Sequence, residues 1–243
     1  MRVVAVACLV LVCASAADAR NHLSGKPEEE AGPVMEVRPS GLVPVFPRDA
    51  ACPEIASPFG SLTRYDGSRR VMDRFGGVHG GIDISLAEGT PLLAIAAGKV
   101  VMTGTGGIFT GHYLWLQHSP DDTGLPFWVY SKYQHFRDAP DLPVGTVVKV
   151  GQPVGKSGKT GTTGRHYGMN GYPHLHLTTF AGGGEKYETR DSTVSVAGSK
   201  IVDPVSIYAT GGDKRVTIPY ATDDGAIVPP GSRIVWPVAC KRR

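Results

Sequence analysis

Apolar and polar residues alternate in short steps along this chain. From Cys52 onward, brief runs rich in Val, Ile, Leu, Tyr and Trp are punctuated by glycine, and no stretch keeps a helical period for a convincing length. The clearest run is Tyr172-Pro173-His174-Leu175-His176-Leu177. Pro173 breaks what precedes it, and polar and apolar residues then alternate, which predicts a half-buried strand. Side chains two apart on a strand share a face, roughly 6.5–7 Å apart. His174 and His176 therefore point one way, and Leu175 and Leu177 point into a core.

The same pattern predicts further strands. Residues 91–102 read as two strands round a tight turn, and residues 144–156 as another pair. Residues 112–118 and 127–135 read as two more strands, joined by the turn-like segment 119–124. A weak internal echo links Gly89-Thr90 through Gly98-Lys99 with Gly145-Thr146 through Gly155-Lys156, as if one hairpin were used twice. Strands at this spacing, in a chain with 32 glycines, predict an all-β fold, a compact antiparallel sheet or sandwich. Residues 181–200 read as a surface loop with one irregular strand. Residues 201–205 close the domain, and 211–243 form a C-terminal extension packed on it.

The N-terminal region has a different texture. Arg2 precedes an apolar run from Val3 to Cys13 that is too short to span a bilayer, and small residues follow as far as Ala19. This predicts a cleaved secretory signal over residues 1–19. The mature chain would then be exported, periplasmic or extracellular, with no stable membrane insertion after cleavage. Residues 20–51 are polar, irregular and rich in proline, which predicts a linker or loose arm. The apolar patch 42–46 within it would lie as an edge segment, since Pro44 argues against a central strand. The domain proper would run from 52 to 210. Loss of the signal leaves Cys52 and Cys240, and two thiols in an oxidising compartment suggest one disulfide; two unpaired thiols are the alternative. The net charge of +3 is too small and too dispersed to argue for nucleic acid as a partner.

The chemistry centres on two stretches. His79-Gly80-Gly81-Ile82-Asp83 places a histidine and a carboxylate four apart, with Gly-Gly between them discouraging a helix. It is therefore not the helical two-histidine protease motif, which also carries a glutamate. An extended segment still brings both groups to one ion, and the glycines let backbone pass close by. With His174 and His176 downstream there are enough N and O donors for a zinc site that keeps a position open for water. Spacing alone leaves open whether both histidines bind, or one binds while the other waits beside it.

At this point the chain resembles the lysostaphin-like (LytM-type) zinc metallopeptidases of bacterial cell walls. The resemblance covers roughly residues 53 to 208. It runs through Ser57-Pro58-Phe59-Gly60, His79 to Asp83, His118, Tyr133-Gln134-His135-Phe136, Gly158-Lys159-Thr160-Gly161, Pro173 to Leu177 and Asp203-Pro204. It implies that His79, Asp83 and His176 bind one Zn2+ per chain. It also implies that His135 and His174 stand beside the reacting carbonyl, where zinc-activated water hydrolyses peptide bonds in peptidoglycan peptides. His118 is expected to be structural or at the groove edge, His112 and His166 at the surface, and Trp115, Trp128 and Tyr130 in the core. The chain departs from the family in the longer link 165–172, the extended segments 119–126 and 181–200, and Leu177-Thr178-Thr179 in place of an apolar-acidic continuation. Two other readings remain: a regulatory domain without turnover, and a zinc peptidase acting on other peptides, such as glycine-rich ones.

Overall fold

A computed structural model of the chain describes residues 36–70, 75–162 and 171–243. The expected signal 1–19, the first part of the arm, His22, His166 and most of the 165–172 link lie outside the described residues. In chain order the first strands are β1 (Val43–Val45), β2 (Ala50–Ala51), β3 (Ile55–Ser57), β4 (Ile82–Ser85), β5 (Pro91–Leu93), β6 (Gly98–Thr105) and β7 (His112–His118). A helical turn, α1 (Pro120–Thr123), leads to β8 (Val129–Phe136), β9 (Val147–Val148), β10 (Pro153–Lys156) and the long β11 (His174–Gly182). The remaining strands are β12 (Glu188–Arg190), β13 (Thr193–Ser195), β14 (Ser199–Val202), β15 (Arg215–Thr217), β16 (Tyr220–Ala221), β17 (Ile227–Val228) and β18 (Lys241–Arg242).

The protein is all-β, and one large antiparallel sheet organises it. Its strand order is β3-β4-β11-β8-β7-β6-β9, with β14 joining β11 at one end. Period-two alternation sorts side chains to its two faces. Leu114, Leu116, Tyr133, Leu175, Leu177, Ile82 and Ile84 enter the main core. Tyr113, Trp115, Tyr130 and Phe180 enter a second, smaller cluster on the opposite face. Covering both faces buries every residue of β8, including Lys132 and Gln134. The second face is clothed at only one end by apolar residues. At the other end it carries His174, His176 and, across the ladder, Asp83 and Gln134.

Several sequence expectations need correction. Residues 91–102 and 144–156 do not form two hairpins: β5 pairs with β10, and β6 with β9. The two echo units are thus cross-paired, the first strand of each with the second strand of the other, an arrangement that a window along the sequence does not reveal. The 119–124 turn is a capped helical turn, in which Ser119 and Asp122 each accept the other's backbone N–H. The 181–200 segment holds the β12–β13 hairpin, whose Asp191 and Ser192 carbonyls accept from Tyr113 Oη and Trp115 Nε1, so it roofs the second cluster.

The segment expected as a loose arm is ordered into the body from residue 36. Val37 and Ala50 are buried in the main core, β1 pairs in parallel with β15, and β2 pairs with β18. Val216, Ile218, Trp236 and Val238 from the C-terminal stretch enter the same core. The Phe46 and Trp236 rings meet in a T-shaped contact at 5.3 Å between centroids, and Trp236 Nε1–H donates to the Pro53 carbonyl. Each of these strands is two or three residues long, too short to leave a periodic signal. They exist because the other end of the chain supplies a partner. The Cys52–Cys240 disulfide is formed across this closure.

Candidate metal centre

Strands β4 and β11 run antiparallel with Asp83 directly opposite His176, so both side chains emerge on the same face. His79 arrives from the loop before β4 and is held by its own backbone. Its carbonyl accepts from Gly60 N at 2.8 Å, and its N–H donates to the Ser61 carbonyl at 3.0 Å. The Ser57-Pro58-Phe59-Gly60 segment therefore has a specific task here: it clamps His79. Close approach is made possible by Gly81, where an added Cβ would meet the Leu177 carbonyl and lie 2.9 Å from His176 Nε2.

Three donor atoms converge. His176 Nδ1 lies 2.8 Å from Asp83 Oδ1, and His79 Nε2 lies 3.1 Å from both. A tetrahedral ion with bonds near 2.0–2.1 Å sets its ligands about 3.3 Å apart, so a small outward breath of the three groups admits one. The set of two imidazoles and one carboxylate suits zinc chemically. His79 and Asp83 are buried, His176 partly so, and among the described residues this is the trio whose donor atoms can share an ion. Burial alone would oppose ionisation of Asp83. The adjoining His79 and His174, with the hydrogen bond from His176, outweigh it and hold the carboxyl well below its ordinary range.

The cluster-facing nitrogens follow from the partners of the others. His79 Nδ1 is 3.0 Å from the Pro58 carbonyl, which can only accept, so Nδ1 carries the proton and Nε2 is free for an ion. Ser57 Oγ lies 3.3 Å from the same Nδ1. On His176 the roles of the nitrogens are reversed: Nδ1 faces the cluster, and Nε2 lies 3.0 Å from Thr178 Oγ1.

His135 and His174 stand beside the trio. Their rings are 4.6 Å apart, and His135 is 5.9 Å from the His176 ring. His135 donates Nδ1–H to the Thr160 carbonyl at 2.7 Å, and His174 donates Nδ1–H to the Tyr172 carbonyl at 3.0 Å. Both therefore present a bare Nε2, and His174 Nε2 lies 3.8 Å from Asp83 Oδ1. Burial, reinforced for His135 by the neighbouring His174 and His176, pushes both imidazoles below the usual histidine range. His135 reaches its place through a left-handed backbone, φ 67°, at the end of β8, where the ladder to β7 shifts register.

The other histidines among the described residues lie apart from the trio. His118 is fully buried between the Ala97 carbonyl and Ser131 Oγ, away from the cluster, and burial lowers its pKa to about 4. His112 pairs with Thr105 near the surface. Trp115 and Tyr130 are buried, and Trp128 packs partly buried against the second cluster.

Two neighbours of the trio carry no motif signal. Arg70 donates Nη2–H to Ser57 Oγ at 2.8 Å and stands 3.5 Å from Asp83 Oδ2, the oxygen turned away from the trio. Tyr172 stacks on His174 at 4.3 Å. Arg70 lies nine residues before His79 in a segment without periodicity, so the sequence gives no hint of it. Tyr172 adjoins the histidine strand and was visible only as a neighbour.

Residues 77–187 match Peptidase family M23. Over that stretch the chain is similar to that family, the lysostaphin-like, LytM-type group. Lysostaphin of Staphylococcus staphylolyticus is 34% identical over 102 residues, which is 42% of this chain and 18% of that protein. The aligned stretch therefore spans less than a fifth of the relative's length. Among solved structures, LytU is 27% identical, covering 55% of this chain and 77% of its own, with a TM-score of 0.40. The catalytic domain of the antimicrobial peptidase lysostaphin from Staphylococcus simulans is 30% identical, covering 50% and 77%, with a TM-score of 0.36.

Proposed function

We propose that this chain is an exported, zinc-dependent endopeptidase that hydrolyses peptide bonds in peptidoglycan. The observation that carries the reading is the meeting of His79, Asp83 and His176 on one open sheet end, with two further imidazoles presenting bare Nε2 atoms alongside. A zinc ion held by the trio supplies a Lewis acid for the attacking water and the scissile carbonyl. His174 is the proton acceptor in this scheme: its Nε2 is unprotonated, and the Asp83 carboxylate 3.8 Å away steadies the positive charge it gains. The same nitrogen then returns the proton to the departing amine. His135, fixed by Thr160, orients the water through its own bare Nε2. The family supports peptide substrates, the resemblance supports cell-wall peptides, and the leader-like N-terminus and the Cys52–Cys240 disulfide support a location outside the cytoplasm.

The test uses the mature chain, with zinc measured by elemental analysis and new amino groups counted after incubation with purified peptidoglycan. About one zinc per chain, with cleavage abolished by chelation and restored by added zinc, is the expected result. His79→Ala and Asp83→Ala are expected to lose both. Zinc without cleavage of wall fragments, pentaglycine or casein would replace this reading with a binding domain, and absence of zinc would overturn the ligand set.

A further inference from the structure

The groups behind the three donors have a common character. A metal-binding histidine commonly donates its second N–H to a carboxylate, a backbone carbonyl or water, and an anionic partner strengthens its grip on the ion. Here His79 leans on the neutral Pro58 carbonyl and Ser57 hydroxyl, and His176 on the neutral Thr178 hydroxyl. The single carboxylate is faced from behind by the Arg70 guanidinium. Lys132, also buried, stands opposite Thr178 in the β8–β11 register. The nearby buried carboxylate of Asp203 is engaged elsewhere, accepting from Ser40 Oγ and Val205 N.

Thr178 has a second property that no carboxylate shares. Without an ion, His176 Nδ1 serves as donor to Asp83, so its Nε2 needs a donor, and the hydroxyl supplies one. With an ion on Nδ1, the proton sits on Nε2, and the same hydroxyl oxygen accepts it. Thr178 therefore satisfies both tautomers by rotating one O–H. Arg70 acts in the same sense, because it neutralises Asp83 whenever the ion is gone. A buried unpaired carboxylate would otherwise make the empty site costly.

We propose that Thr178 and Arg70 are positioning residues that stabilise the empty centre as well as the filled one, so that the metal is held exchangeably. This rests on the zinc-site reading above and adds to it a regulation: occupancy follows the zinc available around the protein. The predicted signs are opposite to those of ordinary supporting residues. Taking away Arg70 removes the competitor for Asp83. Replacing Thr178 by an anion favours only the metal-bound tautomer. Both changes tighten binding.

The experiment titrates the full mature chain with Zn2+ against a chromophoric chelator and follows release after dilution into excess chelator. Circular dichroism checks the fold of each variant. Arg70→Met is expected to bind Zn2+ about tenfold more tightly and release it more slowly. Thr178→Glu is expected to gain about 10–100-fold, the usual range for a carboxylate behind a metal-bound histidine. Thr178→Ser keeps the hydroxyl and is expected to match wild type, whereas Thr178→Val is expected to bind more weakly. Wild type that binds no Zn2+ would remove the zinc reading itself. Wild type that binds, with Arg70→Met no tighter, would overturn this inference alone; that arm decides the matter even where Thr178→Glu fails to fold.

Discussion

His135 and Thr160 are joined by one hydrogen bond, imidazole Nδ1–H to backbone carbonyl at 2.7 Å, and His135 adopts a left-handed backbone, φ 67°, at the place where it is made. The bond ties the end of β8 to the Gly158–Gly161 loop and leaves Nε2 as the nitrogen facing the trio. His135 touches none of the three donor atoms. His135→Ala is therefore expected to keep about one zinc per chain while turnover falls by about 10²–10⁴-fold, the range for a lost proton-handling group. Zinc analysis and amino-group release on the same sample check this, and full activity would remove His135 from the mechanism.

Gly81 is a point of close backbone approach behind the centre. A methyl group there meets the Leu177 carbonyl and lies 2.9 Å from His176 Nε2, so either β4 or His176 must move. Gly81→Ala is expected to lose at least tenfold in Zn2+ affinity with the sheet retained by circular dichroism. Gly107→Ala, where nothing lies within 4 Å, is the matching control and is expected to bind as wild type does.

His118 sets a pH dependence for stability. Burial holds its pKa at about 4 in the folded chain, below the ordinary 6.5, so the unfolded chain binds the proton first as pH falls. Stability from this residue is complete above pH 6.5 and declines as pH drops toward 4, by about 2 kcal/mol at pH 5. Urea unfolding at pH 7 and pH 5 measures it. His118→Asn is expected to be less stable at pH 7 and to show a smaller drop between the two pH values, and an undiminished drop would assign the effect to other groups.

The Cys52–Cys240 bridge spans 188 residues of sequence and joins the segments next to the two-residue strands β2 and β18. Cys52→Ala with Cys240→Ala, or reduction of the native chain, is expected to cost about 2–5 kcal/mol of stability. Neither cysteine neighbours the trio, so Zn2+ affinity in the folded double variant is expected to stay within about threefold. Thermal unfolding with and without reductant, alongside the chelator titration, checks both halves.

What the sequence disclosed followed from how local each signal is. His174 and His176 shared a face because alternation along one strand is a nearest-neighbour property, and the structure keeps that geometry in β11. His176 is singled out over His174 by resemblance alone, and the position of its Nδ1 beside Asp83 depends on a register between β4 and β11 that no local pattern encodes. Arg70 was invisible because its partners, Ser57 and Asp83, come from separate strands and its own segment has no period. The two echo units were seen, yet their cross-pairing was not, since a short apolar run says nothing about which partner it will take. The pairing of the segment before Cys52 is hidden for the same reason: β1 and β2 are completed by β15 and β18, well over a hundred residues away in sequence.

That last closure also sets a clock. The strand at Ala50–Ala51 waits for Lys241–Arg242, and the metal trio draws on residues from 79 to 176, so most of the chain must emerge before either assembles. Folds dominated by such distant pairings form slowly, because the entropy of closing long loops is lost before the contacts repay it. Between synthesis and maturity this chain carries Val37, Trp236 and their neighbours without the core that later hides them. Apolar surface left open over that interval is prone to aggregate, so the late closure is the hazardous stage of this chain's assembly.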